Sequence, residues 1–126
     1  RRVLFRSEEI LQLLELPYRV MAVCIGDLSQ KTYKQYDIET WMPSRRAYGE
    51  TQSSSNLHDF QARRANIRYR DADGQLRFCH TLNCTAIASP RILIPLLEIH
   101  QREDGSVRIP EALRPYLDGL DELRPT

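Results

Sequence analysis

Three polar side chains in the stretch TLNCTAIASPRILIPLLEIHQ, residues 81–101, have the types and spacing needed to bind a small charged ligand. Arg91 stands at the start of a nearly all-apolar helix that is predicted after Ser89, a suitable N-cap, and Pro90, which a first helical turn tolerates. An arginine buried there without a partner would be costly, so we expect a carboxylate or a phosphate to meet it. The backbone N–H groups of a helix N-terminus favour the same kind of ligand.

Asn83 and Thr85 precede that helix on a predicted strand. Side chains two residues apart in a strand share a face, so the amide and the hydroxyl should point together toward the helix N-terminus where Arg91 lies. The three residues together predict a small polar substrate site beside a phosphate.

Length and composition predict one globular domain. The chain has 126 residues, of which 41% are hydrophobic, and no window is long and apolar enough to span a membrane. A net charge of +1 gives no general attraction to nucleic acid, so any such contact must come from a local patch. Cys24, Cys79 and Cys84 are odd in number and lack CxxC spacing, which favours a reduced, cytoplasmic or organellar compartment over disulfides or a zinc site.

The first seven residues, RRVLFRS, carry neither a helical nor a strand period, and RVLFRS resembles the translation of a sequencing adapter. We therefore expect residues 1–7 to be a non-native leader and residues 8–126 to form the domain. Because the chain opens without a methionine and the first helix follows almost at once, we expect a fragment of a longer protein.

The remaining pattern predicts an α+β fold with an antiparallel β-sheet flanked by helices. Periodicity and turn residues predict helices over residues 8–15, 29–36 and 57–66 and after Ser89, strands over 18–25, 37–42, 48–56, 67–70 and 76–82, a hairpin turn at DADG, and a frayed end over 118–126.

Two polar segments are ambiguous. In residues 48–56, YGETQSSSN, hydroxyls and amides fill the strand, which is then either a solvated edge strand or a strand that lines a ligand site. Arg63, Arg64, Arg68 and Arg70 form either a solvated, salt-bridged face, with Asp59 and Glu50 as candidate partners, or a phosphate contact. The basic loop over residues 44–47 is likewise a solvated turn or a nucleic-acid contact.

Several blocks resemble the seryl-tRNA synthetase family of the bacterial or organellar type, in the C-terminal part of its class II catalytic domain. GETQSSSNLHDFQARRANIRYR resembles the ATP-binding strand and the helix after it, and TLNCTAIASPR resembles class II motif 3. LPYRVMAVCIGDLSQKTYKQYDIETWMP resembles the segment that crosses the sheet, and DFQARR and QREDGSVRIPEALRPYL are especially specific. Several blocks in the right order make chance similarity improbable.

The resemblance implies a role for each candidate residue. It implies that Arg91 is the catalytic arginine on the γ-phosphate of ATP and that Asn83 and Thr85 line the serine pocket. It also implies ATP contacts along one run of the polar strand, with Mg²⁺ held at both ends of the run: Glu50, Thr51, Gln52 and Ser53.

The implied function is that of a serine–tRNA ligase, which activates serine with ATP and Mg²⁺ and transfers it to tRNA(Ser). The resemblance also implies a homodimer for the intact protein, no membrane partner, and a fragment that lacks class II motifs 1 and 2. Cys84 replaces a usual glycine, Pro95 interrupts the motif 3 helix, and Gln52 and Ser54 replace a usual serine and cysteine. The alternatives are a catalytically inactive synthetase-like binding module and, less well matched, a zinc-dependent carrier-protein ligase.

Overall fold

A four-stranded antiparallel sheet with the strand order β1-β2-β3-β6 organises the chain, and the computed structural model describes residues 2–125. The sheet contains β1 (Tyr18–Ala22), β2 (Lys34–Met42), β3 (Ala47–Asn56) and β6 (Leu82–Cys84). The helices are α1 (Arg2–Leu13), α2 (Phe60–Ala65) and α3 (Ser89–His100). Two small sheets pair β4 (Arg68–Arg70) with β5 (Leu76–Phe78) and β7 (Val107–Arg108) with β8 (Glu122–Leu123), and 3-10 turns cover Ile25–Asp27, Pro43–Arg45 and Glu111–Tyr116.

The hydrophobic core lies between one face of this sheet and helices α1 and α3. Alternation along β2 explains which face is buried, because Ile38, Thr40 and Met42 are at most 2% exposed while the residues between them remain partly exposed. Ile38 packs in one cluster with apolar side chains of α1, of the segment that follows it and of α3, namely Leu11, Leu14, Leu16 and Ile92. The predicted α+β fold with an antiparallel sheet is therefore confirmed, and the opposite face of β2 carries polar side chains.

Helix α1 begins at Arg2, so the prediction that the first helix starts at residue 8 and that residues 1–7 lack helical structure is wrong. Ser7 is 1% exposed, and its hydroxyl lies 3.3 Å from the sulfur of Cys84. This contact places the end of the expected leader against the sheet. Arg1 lies outside the described residues, and the non-native origin of the leader remains a prediction.

The polar helix predicted over residues 29–36 is absent, because this segment pairs with the sheet instead. Ser29 and Thr32 form a turn joined by their hydroxyl groups at 2.8 Å, and β2 begins at Lys34. The Tyr33 N–H donates to the carbonyl of Asn56 at 2.9 Å. Strand pairing thus outweighs the local helix propensity.

The end of the chain is also more ordered than predicted. Glu122 and Leu123 pair with β7, and the Arg102 guanidinium donates to the Glu122 carboxylate at 2.7 Å. The prediction of a frayed end over residues 118–126 is therefore wrong for the described part, and Thr126 lies outside it. The predicted DADG hairpin is confirmed, with Gly74 at a φ of 80° that glycine adopts without strain.

Helix α3 is continuous over Ser89–His100 although Pro95 lies inside it and is fully buried. Ser89 is the first helical residue rather than the cap, and Ala88 precedes it with no side-chain cap hydrogen bond. Within residues 2–125, no helix combines the length and the apolar character needed to cross a bilayer.

Candidate functional site

The polar face of the sheet is built from three neighbouring cross-strand rows. The register places Gln35 opposite Ser55 and Ser55 opposite Asn83 in the first row. The second row contains Met21, Asp37 and Ser53, and the third contains Arg19, Glu39 and Glu50. Because directly paired residues share a face, these side chains form one surface.

A β-bulge brings Glu50 and Ser53 onto the same face. Strict alternation would place residues three apart on opposite faces. In the structure Ile38 pairs with Gln52 and Glu39 pairs with Glu50, so Thr51 is the extra residue of β3. The bulge absorbs one residue, and both predicted ligand-binding side chains point to the polar face.

The same bulge directs Thr51 and Gln52 away from that face. The Thr51 hydroxyl lies 2.8 Å from that of Thr40 and donates to the carbonyl of Ile38 at 3.2 Å. Gln52 is 2% exposed, and neither of its amide atoms has a partner within the described residues. Within this run only Glu50 and Ser53 direct their side chains to the polar face, so an ATP contact by Thr51 and Gln52 would have to use their backbone, and that contact stays a prediction.

Arg91 meets a carboxylate, one of the two partners that the sequence predicts for it. Its Nη1 lies 3.1 Å from Oε2 of Glu50 and 3.4 Å from the Glu50 carbonyl oxygen. The Arg91 side chain is 55% exposed and the Glu50 side chain 43% exposed, so solvent screens this pair. The first turn of α3 and the bulged strand are thereby joined at the third row of the polar face.

Asn83 lies on the polar face in β6, and Thr85 follows the end of that strand. Asn83 is opposite Ser55, and it also borders a cleft of about 240 Å³ that opens on the α1 side of the sheet beside Lys34 and Leu82. Thr85 follows the end of the strand and would fall opposite Ser53 if the ladder continued by one pair. Both residues are exposed, so they are available to a ligand.

Cys84 points to the other side of the sheet, into the packing beneath α1. Its sulfur accepts from the Ser54 hydroxyl at 3.2 Å and lies 3.3 Å from the Ser7 hydroxyl. The side chain that replaces a usual glycine therefore does not enter the polar face.

The arginine cluster around α2 and β4 is partly salt-bridged, as expected. Arg63 pairs with Asp59 at 2.8 Å, and this guanidinium lowers the pKa of the Asp59 carboxyl. Arg63 and Arg68 both lie over the ring of Phe78, at 4.7 and 4.6 Å from its centroid. Glu50, the other expected partner of this cluster, pairs with Arg91 instead.

Sequence reasoning missed the charged residues of β1 and β2 on the polar face. Arg19 donates to Glu39 at 2.6 Å, and the side-chain amide of Gln35 donates to Asp37 at 2.8 Å. The signal was present in the alternation of DIETWM, in which every second residue is polar or aromatic and the others are buried.

Glu50 and Ser53 have the donor chemistry for Mg²⁺, which prefers oxygen ligands and is commonly held by few protein side chains together with substrate phosphates. Within residues 2–125, no group of three or more His, Cys, Asp or Glu side chains is arranged to hold a metal by protein ligands alone. A carboxylate and a hydroxyl on one face therefore fit a metal that is shared with a nucleotide.

The antiparallel sheet, its polar face and the arginine at the start of α3 define a class of protein. Residues 2–100 match the family described as tRNA synthetase class II core domain (G, H, P, S and T), and the chain belongs to this family. Within it, the chain is 58% identical over 122 residues to the serine–tRNA ligase of Deinococcus radiodurans and 59% identical over 111 residues to that of Rubrobacter xylanophilus. The chain spans 29% and 26% of the lengths of these two relatives.

Solved structures show the same similarity. The crystal structure of seryl-tRNA synthetase from Pyrococcus horikoshii complexed with ATP matches 99% of the chain with a TM-score of 0.92 and 49% identity, over 28% of its own length. The cytoplasmic serine–tRNA ligase from Naegleria fowleri in complex with AMP matches 98% of the chain with a TM-score of 0.88 and 35% identity, over 29% of its own length.

Proposed function

We propose that the chain is part of a serine–tRNA ligase and supplies one wall of the site in which serine is activated with ATP. The polar face carries this proposal, because the bulge at Thr51 places Glu50 and Ser53 on one surface with Asn83 and beside Arg91. The nucleotides present in the two similar crystal structures support the same reading.

In this proposal Arg91 binds the γ-phosphate of ATP, and Glu50 and Ser53 hold Mg²⁺. Arg91 would exchange its contact with Glu50 for the phosphate, which leaves the carboxylate free for the metal. When bound, Mg²⁺ supplies charge neutralisation on the pyrophosphate leaving group. Asn83 and Thr85 would orient serine, whose carboxylate attacks the α-phosphorus, so that positioning and electrostatics perform most of the catalysis.

Selection of serine follows from hydrogen bonding in the pocket. A pocket that pairs its polar groups with the substrate hydroxyl leaves those groups unpaired when alanine binds, which discriminates by about 10⁴ or more. Asn83 and Thr85 have the amide and hydroxyl groups that such a pocket requires.

The partners of the whole protein belong to the same proposal. We infer that the intact protein is a cytoplasmic homodimer that binds tRNA(Ser) through parts outside this chain. The similar proteins are named for serine and tRNA, and this chain covers less than a third of each.

A hybrid enzyme tests the function. The chain would replace the matching 122-residue segment of the Deinococcus radiodurans ligase, to which it is 58% identical. We expect the hybrid to catalyse serine-dependent ATP–pyrophosphate exchange. A folded hybrid dimer without exchange would instead favour a synthetase-like binding module that has lost catalysis.

A further inference from the structure

An alternating row of charges crosses the polar face at the bulge. Arg19 of β1 donates to Glu39 of β2 at 2.6 Å, and Glu39 lies directly opposite Glu50 of β3. Glu50 in turn contacts Arg91 of α3 at 3.1 Å. Two carboxylates thus lie side by side, and each has an arginine on its outer side.

The position of Arg19 is fixed by aromatic side chains as well as by Glu39. Its guanidinium lies 4.6 Å from the ring centroid of Tyr48, and the Tyr48 ring contacts Trp41 edge-on at 5.3 Å. A cation over an aromatic face gains electrostatic stabilisation, and the planar guanidinium is suited to this stacking. Arg19 is therefore held from two directions on a face that is otherwise open.

The arrangement has an electrostatic reason. Directly opposite residues of an antiparallel pair have Cβ atoms about 5 Å apart, and like charges at such positions destabilise the pair. Asp37, the next acid along β2, receives its hydrogen bond from Gln35 rather than from an arginine. Arg19 is accordingly the cation that compensates Glu39.

We propose that Arg19 is a positioning residue that neutralises Glu39, so that Glu50 alone presents a net negative charge to the metal–nucleotide complex once Arg91 has exchanged Glu50 for the γ-phosphate. This inference rests on the proposed function of Glu50. Without Arg19, Glu39 becomes a second uncompensated carboxylate beside Glu50. The pair then attracts a free divalent cation more strongly and repels the anionic phosphates of ATP.

Opposite changes in cation and nucleotide affinity test this role. In Arg19→Gln, Mg²⁺ alone should half-saturate the 126-residue chain at about a tenfold lower concentration, as expected for one added unit charge at short range. Binding is followed by NMR at the Glu50 amide. In the active hybrid enzyme, the same substitution should raise the KM for ATP by about tenfold, with a smaller change in kcat.

Charge restoration and a matched ion pair provide the controls. Arg19→Lys and the double variant Arg19→Gln/Glu39→Gln should both return toward wild-type values for Mg²⁺ and ATP, because each restores the local charge balance. Arg102→Gln breaks the ion pair with Glu122, which lies outside the polar face and whose arginine is 50% exposed like Arg19. This variant should change neither the Mg²⁺ affinity nor the KM for ATP.

Two results would overturn the inference. One is an unchanged Mg²⁺ affinity in Arg19→Gln, and the other is a joint loss of Mg²⁺ and ATP binding together with a lower Tm, which indicates a purely structural pair. A wild-type hybrid without exchange would refute the proposed ligase function, whereas the Mg²⁺ titration of the chain tests the charge balance around Glu50 separately, because it does not depend on exchange.

Discussion

Arg91 must leave the Glu50 carboxylate before its guanidinium can bind a phosphate. Its ion pair with Glu50 is about half exposed on both sides, and such pairs contribute at most about 1 kcal/mol. A phosphate at a helix N-terminus offers a stronger, charge-assisted contact. The pair therefore orders both side chains in the free protein at little cost to nucleotide binding.

Replacing Arg91 by alanine in the active hybrid enzyme should raise the activation barrier by about 3 kcal/mol or more, because a preorganised charge contact with the pyrophosphate leaving group is lost. The measurement is the rate of serine-dependent ATP–pyrophosphate exchange. Arg91→Lys keeps the charge without the bidentate geometry, so its exchange rate should lie between the rates of the wild-type hybrid and of Arg91→Ala. Exchange rates that barely change would show that the motif 3 assignment of Arg91 is incorrect.

Cys84→Gly should affect stability more than substrate binding. The Cys84 sulfur contacts Ser7 and Ser54 on the buried side of the sheet, so the KM for serine should remain within a few-fold of its original value. The added backbone freedom of glycine should lower the free energy of unfolding by about 1 kcal/mol. Steady-state kinetics of the hybrid enzyme measure the KM for serine, and denaturant unfolding measures the free energy of unfolding. A much lower KM for serine in the glycine variant would mean that Cys84 obstructs the pocket.

At the scale of elements, the sequence predicts the helices and strands that have a local pattern, and it misses the features that depend on pairing between distant strands. The alternation of β2 and the apolar helix after Ser89 are visible in the sequence, and both are present. Residues 29–36 have the local pattern of a helix, and their pairing with β3, which begins at the contact of Tyr33 with Asn56, has no signal within the segment itself. Residue types and spacing single out Arg91, Asn83 and Thr85, whereas Glu50 and Ser53 come from the resemblance. The bulge at Thr51 that places Glu50 and Ser53 on one face breaks the period-two pattern and has no local signal.

The junction between α1 and β7 should make stability depend on pH. Arg108 donates to both carboxylate oxygens of Glu15, at 3.1 and 2.6 Å, and this bond lowers the pKa of Glu15 below its ordinary value. A carboxylate with a lowered pKa in the folded state stabilises the fold above its unfolded pKa, and this contribution is lost as the pH falls through the lowered pKa.

Glu15→Gln should therefore lower the free energy of unfolding by less than about 1 kcal/mol at neutral pH, and the difference from wild type should vanish in acid. Chemical denaturation of the 126-residue chain across a pH series measures this. Glu103→Gln, in the exposed turn after α3, removes the same charge and should show no such trend. A difference that persists unchanged at acid pH would exclude the ion pair as its cause.

At the scale of the whole molecule, the chain presents one wall of a site and exposes surfaces suited to further packing. Leu93, Ile94 and Leu97 of α3 are 50%, 43% and 43% exposed, which is unusual for one face of an apolar helix. The polar face has the same open character. Both features agree with a chain that spans less than a third of its relatives.

The isolated chain should therefore show no serine-dependent ATP–pyrophosphate exchange. Its side chains reach the substrate from one face only, and catalysis by positioning requires the reactants to be held from several directions. The assay compares the 126-residue chain with the hybrid enzyme at equal concentration. Exchange above background by the chain alone would mean that residues 2–125 contain a complete site.

The edge-on pair of Trp41 and Tyr48 gives the polar face an optical reporter. Trp41 is the one tryptophan among the 126 residues, and its strand neighbour two residues away is Glu39. Its indole emission reports on the polarity and charge around it, without a label and without competing tryptophan signals. Tryptophan fluorescence therefore reports on the side of the sheet where nucleotide is proposed to bind. The core beneath α1 and α3 contributes no tryptophan emission, because it contains no tryptophan.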